Sequence, residues 1–343
     1  MASPARARRT VRELLRSPEP SIRWRTRVKV LQEPRESPHV RALEKEIRGS
    51  ARVRGLLRHE GARFRPGTAR TVYYYWQGTH WVLASLAELG YPAGDPELLP
   101  LREKELALWL KPSYERSYVR DPSGPERDTQ GVPIIEGRHR RCASQQGNAL
   151  YALVSLGLED ERADLLVELL RKWQWRDGGW NCDRRPSADT YSFMETLTPM
   201  MGLAALADRT GSCTSRSAAR RAAEVFLSRR LFLGRHSGKV IRPDFLQLHY
   251  PRYWHYDVLG GLKGVALAGK LRDPRCGPAL DWLEERELEG GGWSVDATYY
   301  RVWDRFHWNG EHVDWGAPGA DGRNEWVTTD ALAVLREAGR LHL

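Results

Sequence analysis

No apolar run reaches the roughly 18 uninterrupted residues that a membrane-spanning helix needs, which excludes an α-helical span. Cysteine is scarce. Cys142, Cys182, Cys213 and Cys276 are the only four in 343 residues. They form no Cys-x-x-Cys, and no His-x-x-x-His accompanies them, so neither a disulfide framework nor a ready-made zinc spacing is present. Nor is there a Gly-x-Ser-x-Gly or a glycine-rich loop of the phosphate-cradling kind. Met1 to Arg16 is rich in arginine with no apolar stretch behind it, so it does not read as a secretory signal. A reducing, cytoplasmic setting is the expectation.

What is present is unevenly spread. Residues 1–70 carry 19 Lys and Arg against 7 Asp and Glu, while the rest of the chain is close to neutral. The sequence pI near 9.6 therefore belongs to the N-terminal segment. Such a segment suits nucleic acid or an anionic lipid surface, or it is a solvated helical face. Phe occurs 6 times, but Trp occurs 14 times and Tyr 13. Amphipathic aromatics belong where one side is apolar and the other polar, in a lined cavity or as braces between helices.

The first seventy residues read as short helices broken by proline, opening near Ser21, at Ser37-Pro38 and at Ser50. From Tyr73 a pattern recurs: an apolar helix rich in small residues, a loop, then a more charged amphipathic helix. The apolar members are expected at 79–90, 147–157, 191–207, 255–269 and 326–339, with partners near 96–110, 159–173, 216–231 and 274–288. The asymmetry predicts inner and outer helices. Two outer helices end in a matched signature, Gln174-Trp175-Arg176-Asp177-Gly178-Gly179-Trp180 and Glu287-Leu288-Glu289-Gly290-Gly291-Gly292-Trp293. Glycine stops the helix, and the tryptophan folds back as a brace between repeats.

These residues resemble the QW motif of squalene–hopene cyclases, which share a superfamily with the β-subunits of protein prenyltransferases. The resemblance implies an all-α fold: one (α/α) toroid over residues 72–343, preceded by a basic helical cap at 1–71. It also implies a cyclase or transferase acting on an isoprenoid-like apolar substrate. The cyclases' Asp-x-Asp-Asp acid is missing, since Thr328-Thr329-Asp330 has the wrong order. The prenyltransferases' zinc pattern is matched in part. Its Asp carries over to Asp189 and its His to His255, whereas its Cys has no counterpart between Thr190 and Tyr191.

In that fold the pocket lies at the N-terminal ends of the inner helices. The candidates for acid–base chemistry there are Glu195, within an apolar segment, and His255 and Asp257, within the cluster His249 to Asp257. Substrate contacts are expected from Tyr191, His249, Tyr253, Trp254, Tyr256 and Arg141. The aromatic faces would stabilise a carbocation, and the basic run around Arg141 suits a diphosphate. Zinc is the cofactor to consider, with Cys182, Asp189 and His255 as its ligands. Helix capping and core pairing are the alternatives for the carboxylates, and a buried structural thiol for Cys182. A non-catalytic protein that binds a hydrophobic ligand or partner in the same cavity is the alternative function.

Overall fold

The computed structural model of the protein describes residues 4–59, 69–111, 134–135, 138–139, 142–183, 190–302, 310–311, 313–316 and 322–343. Strand among these is confined to two-residue pairs, 134–135 with 138–139 and 301–302 with 310–311. The fold is all-α, as the sequence predicts. No helix among the described residues is long and apolar enough to cross a membrane.

The N-terminal helices are α1 (Pro4–Leu14), α2 (Pro20–Arg25) with a π-helical turn at Thr26–Val30, α3 (Pro38–Arg48), α4 (Ala51–His59) and α5 (Ala69–Tyr73). The apolar helices are α6 (Thr79–Leu89), α8 (Ala143–Ser155), α10 (Phe193–Thr210), α12 (Val258–Leu267) and α14 (Glu325–Glu337). Between them run α7 (Leu99–Trp109), α9 (Arg162–Trp173), α11 (Cys213–Leu227) and α13 (Gly277–Glu285). Side-chain caps fix the starts. Ser192 accepts from the Glu195 amide, Asp257 from Gly260, and Asn324 from Trp326 and Val327. Gly90 and Gly211, both at φ 76°, end α6 and α10 in the left-handed region. The second apolar helix starts earlier than expected because Ser144, Gln145 and Gln146, polar residues that suggest a loop, form its first turn.

Neighbouring apolar helices pack in a fixed order. Helix α6 touches α8, α8 touches α10, α10 touches α12 and α12 touches α14. Helix α14 then touches α2 and its π turn, and α2 touches α6. The α8–α10 crossing is close because a Cβ on Gly147 would lie 2.2 Å from the Pro199 nitrogen, and one on Gly202 2.5 Å from the Gly147 carbonyl. Ile22, Trp24 and Val30 are buried in the same cluster as the apolar helices, because α2 and the π turn fill the place between α14 and α6. Several of the basic residues pair with carboxylates as well. Arg25 is fully buried against Glu88 and Asp330, Arg23 pairs with Glu46, Arg48 with Asp95 and Arg52 with Glu19.

The two Trp signatures are geometric copies. The Trp180 indole donates to the Leu170 carbonyl at 3.0 Å, and that of Trp293 to the Leu283 carbonyl at 2.7 Å. The Trp180 amide donates to Thr196 Oγ1, and the Trp293 amide to Thr328 Oγ1. The Ser192 amide donates to the Trp180 carbonyl as the Asn324 amide does to that of Trp293. Each copy thus ties an outer helix to the start of the next apolar helix. Gln174 Nε2 bridges Gly178 and Ala218 of α11 in the first copy. In the second, Glu287 faces Arg6 of α1, and Arg9 donates to the Gly290 carbonyl at 2.7 Å. Helix α1 therefore stands beside the second copy where α11 stands beside the first.

Candidate functional site

The N-terminal ends of α8 and α10 bring three metal-ligating side chains together. Cys142 is the residue before α8, and Glu195 lies in the first turn of α10. Cys182 follows Trp180 by two residues, so the anchored indole aims it at the same place. Their ligand atoms all lie within 4.8 Å of one another. Both thiols are half-buried, and Glu195 is 9% exposed. Ser144 orients the carboxylate, donating its amide to one oxygen at 3.2 Å and its hydroxyl to the other at 3.0 Å.

The strongest influences on these groups include no cation. The Cys182 thiol is pushed up by its hydrogen bond to Cys142, by burial and by the Glu195 charge. Burial pushes the Glu195 carboxyl up, and hydrogen bonds from Cys182 and Ser144 offset part of that. Among the described residues no cation offsets this crowding, so Cys182 and Glu195 are both pushed toward their protonated forms. A divalent cation reverses that preference, because it binds thiolate and carboxylate and releases the protons. Two sulfurs and one carboxylate oxygen are a donor set that suits zinc and leaves a coordination position open.

An aromatic wall adjoins this group. Tyr75 lies within electrostatic reach of Cys142, Glu195 and Cys182. Tyr75 stacks on Trp76 at 4.6 Å, Trp76 on Tyr253 at 3.9 Å, and Trp81 meets Trp76 edge-on at 4.8 Å. Tyr253 is fixed at its far end by donating to Glu311 at 2.7 Å. A buried relay that the sequence does not advertise stands behind the wall. Asn148 donates to His80 Nε2 at 3.1 Å, so Nδ1 carries the proton toward Glu105 at 2.6 Å, and the Trp109 indole joins Glu105 at 2.8 Å.

The other expected site residues take different places. His255 does not belong to the Cys142, Cys182 and Glu195 group. Its ring is sandwiched between Trp254 at 4.0 Å and Tyr299 at 3.4 Å. Burial, then the neighbouring His249, push its pKa down to about 3, so near neutral pH it is an uncharged stacking ring, not a proton donor. Asp257 caps α12 through Gly260 at 2.6 Å and takes the His249 amide and Nδ1 at 3.1 and 3.0 Å. Burial opposes its ionisation, but His249 and these amides outweigh it and hold it as carboxylate, which is the state of a cap and not of an acid. Burial opposes a charge on His249, but Asp257 outweighs it and pushes the imidazole pKa up. Tyr256 donates to the Leu231 carbonyl among Phe193, Phe226 and Phe245, in the core. Tyr191 accepts from Arg229 at 2.7 Å. Tyr253 lines a narrow cavity with Ser85, Glu88, Asn148 and Arg252. Arg141 and Asp189 lie outside the described residues.

Sequence reasoning missed Cys142. The available signal was its place, since it precedes an apolar helix as Ser192 and Asp257 do. No protein-family model and no curated protein matches the chain.

Proposed function

We propose that the six contacting helical segments close an (α/α) toroid, and that its mouth is a zinc-dependent site for a cyclase or transferase reaction on an apolar, isoprenoid-like substrate. The observation that carries the reading is the convergence of Cys142, Cys182 and Glu195 beside an aromatic wall. The returning order of helix contacts and the duplicated Trp anchors support the toroid. Cys142, Cys182 and Glu195 would hold the metal, replacing the expected set of Cys182, Asp189 and His255. Bound zinc would supply Lewis acidity at the mouth. The protein's own residues do the remainder. Ser144 holds Glu195 in one orientation. Tyr75, Trp76 and Tyr253 offer ring faces that bind an apolar chain and favour positive charge developing on it.

A second reading, non-catalytic capture of a hydrophobic ligand, is favoured by Asp257 and His255 being locked in a cap and a stack. One experiment separates the two. The protein is purified without chelator, its zinc content measured, and prenyl diphosphates offered with and without metal. Zinc at one per chain and turnover that is lost in Cys182→Ser support the enzyme. Zinc and prenyl binding without turnover support capture. Absence of zinc overturns the proposal.

A further inference from the structure

The opposite ends of the same helices enclose a second cavity of about 340 Å³. That is the size of a small-molecule site. Val28, Met201, Ala266, Leu267, Ala333 and Val334 make its walls apolar, and Leu267, 43% exposed, stands at its rim. Its polar floor is a charge cluster. Lys263 lies 2.6 Å from Asp330 and 3.4 Å from Glu88. Arg25 pairs with the same two carboxylates. Two cations and two anions are therefore already matched.

Lys29 is the odd cation. It lines the cavity from the π turn, and among the described residues it makes no ion pair or hydrogen bond. The charges that act on it are Arg25 and Lys263, which oppose its ammonium form, and Glu88 and Asp330, which favour it. Arg252 acts on the same cluster through Glu88 and Tyr151. Burial first, then Arg25, push the Lys29 amine down to about 7. Glu337 lines the same cavity, and burial pushes its carboxyl upward.

We propose that Lys29 is the nucleophile of a second site, remote from the cysteines, which takes a small apolar aldehyde or ketone as a Schiff base. A desolvated lysine beside other cations is the arrangement that activates an amine for this chemistry. The Nζ lone pair attacks the carbonyl carbon and forms the C–N bond. A proton passes from nitrogen to oxygen, and that oxygen leaves as water when the C=N bond forms. Glu337 is the acid at hand for the departing hydroxyl. No oxidant or further reactant is required. A carboxylate ligand is the less favoured occupant, because both floor carboxylates already match Arg25 and Lys263 and burial favours the neutral amine.

The test is reductive trapping of the full-length protein with isovaleraldehyde and cyanoborohydride at pH 7, followed by peptide mapping. Lys29 should be alkylated at least about tenfold faster than Lys45 or Lys104, since an amine titrating near 7 is half free where an ordinary lysine is about 1 part in 2,500 free. In Lys29→Met the fast phase should vanish, with an unchanged melting temperature showing that the fold persists. Labelling of Lys29 at the rate of the other lysines overturns the proposal. So does protection by isovalerate with no fast labelling by the aldehyde, which would make the cavity an anion site. The wild-type measurement stands alone if the variant fails to fold.

Discussion

The two ends of the apolar helices carry opposite chemistry. At their N-terminal ends the structure gathers groups able to become anions, Cys142, Glu195 and Asp257, and among the described residues only Asp257 has a basic side chain, His249, against it. Toward the other end it gathers Arg25, Lys29 and Lys263 around two carboxylates. The helix dipoles favour this polarity, with partial positive charge at the starts and negative charge at the ends. The ends differ in what they lack. Among the described residues Cys142, Cys182 and Glu195 have no cation paired with them, which is the setting the proposed metal would fill. The lysine end has a surplus cation, so it sheds a proton.

The largest disturbance should come from breaking the charge balance at the lysine end. Arg25→Met leaves Asp330 and Glu88 with Lys263 as their remaining close partner, and should cost about 3–5 kcal/mol in urea unfolding. At the cysteine end, Ser144→Ala removes the hydroxyl that donates to one Glu195 oxygen and leaves the amide that donates to the other. It should weaken zinc binding about 10–100-fold in a competitive chelator titration while leaving apo stability nearly unchanged. The lysine end also predicts a pH dependence. Lys29 releases its proton near 7 in the folded chain and near 10.4 in the unfolded one, so the unfolded chain binds more protons between those values. Stability should therefore rise with pH across that window, and Lys29→Met should flatten the rise in thermal melts at several pH values. The smallest effect belongs to His255→Gln, which breaks the stack with Trp254 and Tyr299. Because His255 lies outside the Cys142, Cys182 and Glu195 group, the change should cost no more than about 1.5 kcal/mol and leave zinc content unchanged.

The apolar helices were legible in the sequence because each is a run of small and aliphatic residues bounded by a cap or a glycine. The Trp signatures were legible because glycine and tryptophan recur at one spacing. The place of the N-terminal segment was not, because it depends on Arg25 meeting Asp330, 305 residues away. Net charge likewise does not show that Arg23, Arg25, Arg48 and Arg52 each meet a carboxylate within the fold. Cys142 was hidden for the same reason, with its sulfur partner 40 residues downstream and no local spacing to mark it. The cluster from His249 to Asp257 drew attention through composition. Sequence alone does not show that one member caps a helix, one counters that cap, and a third packs among phenylalanines.

The claim on which the comparison rests is that the cysteine end binds a metal through two sulfurs and one carboxylate. Cobalt(II) substitution reads this directly, because a tetrahedral cobalt–thiolate site gives intense charge-transfer absorption in the near ultraviolet. The protein should take up one cobalt per chain with a two-sulfur band that falls by about half in Cys142→Ser and likewise in Cys182→Ser, and zinc should displace it. Stoichiometric cobalt without that band, or a band of undiminished intensity after loss of either cysteine, would contradict the account.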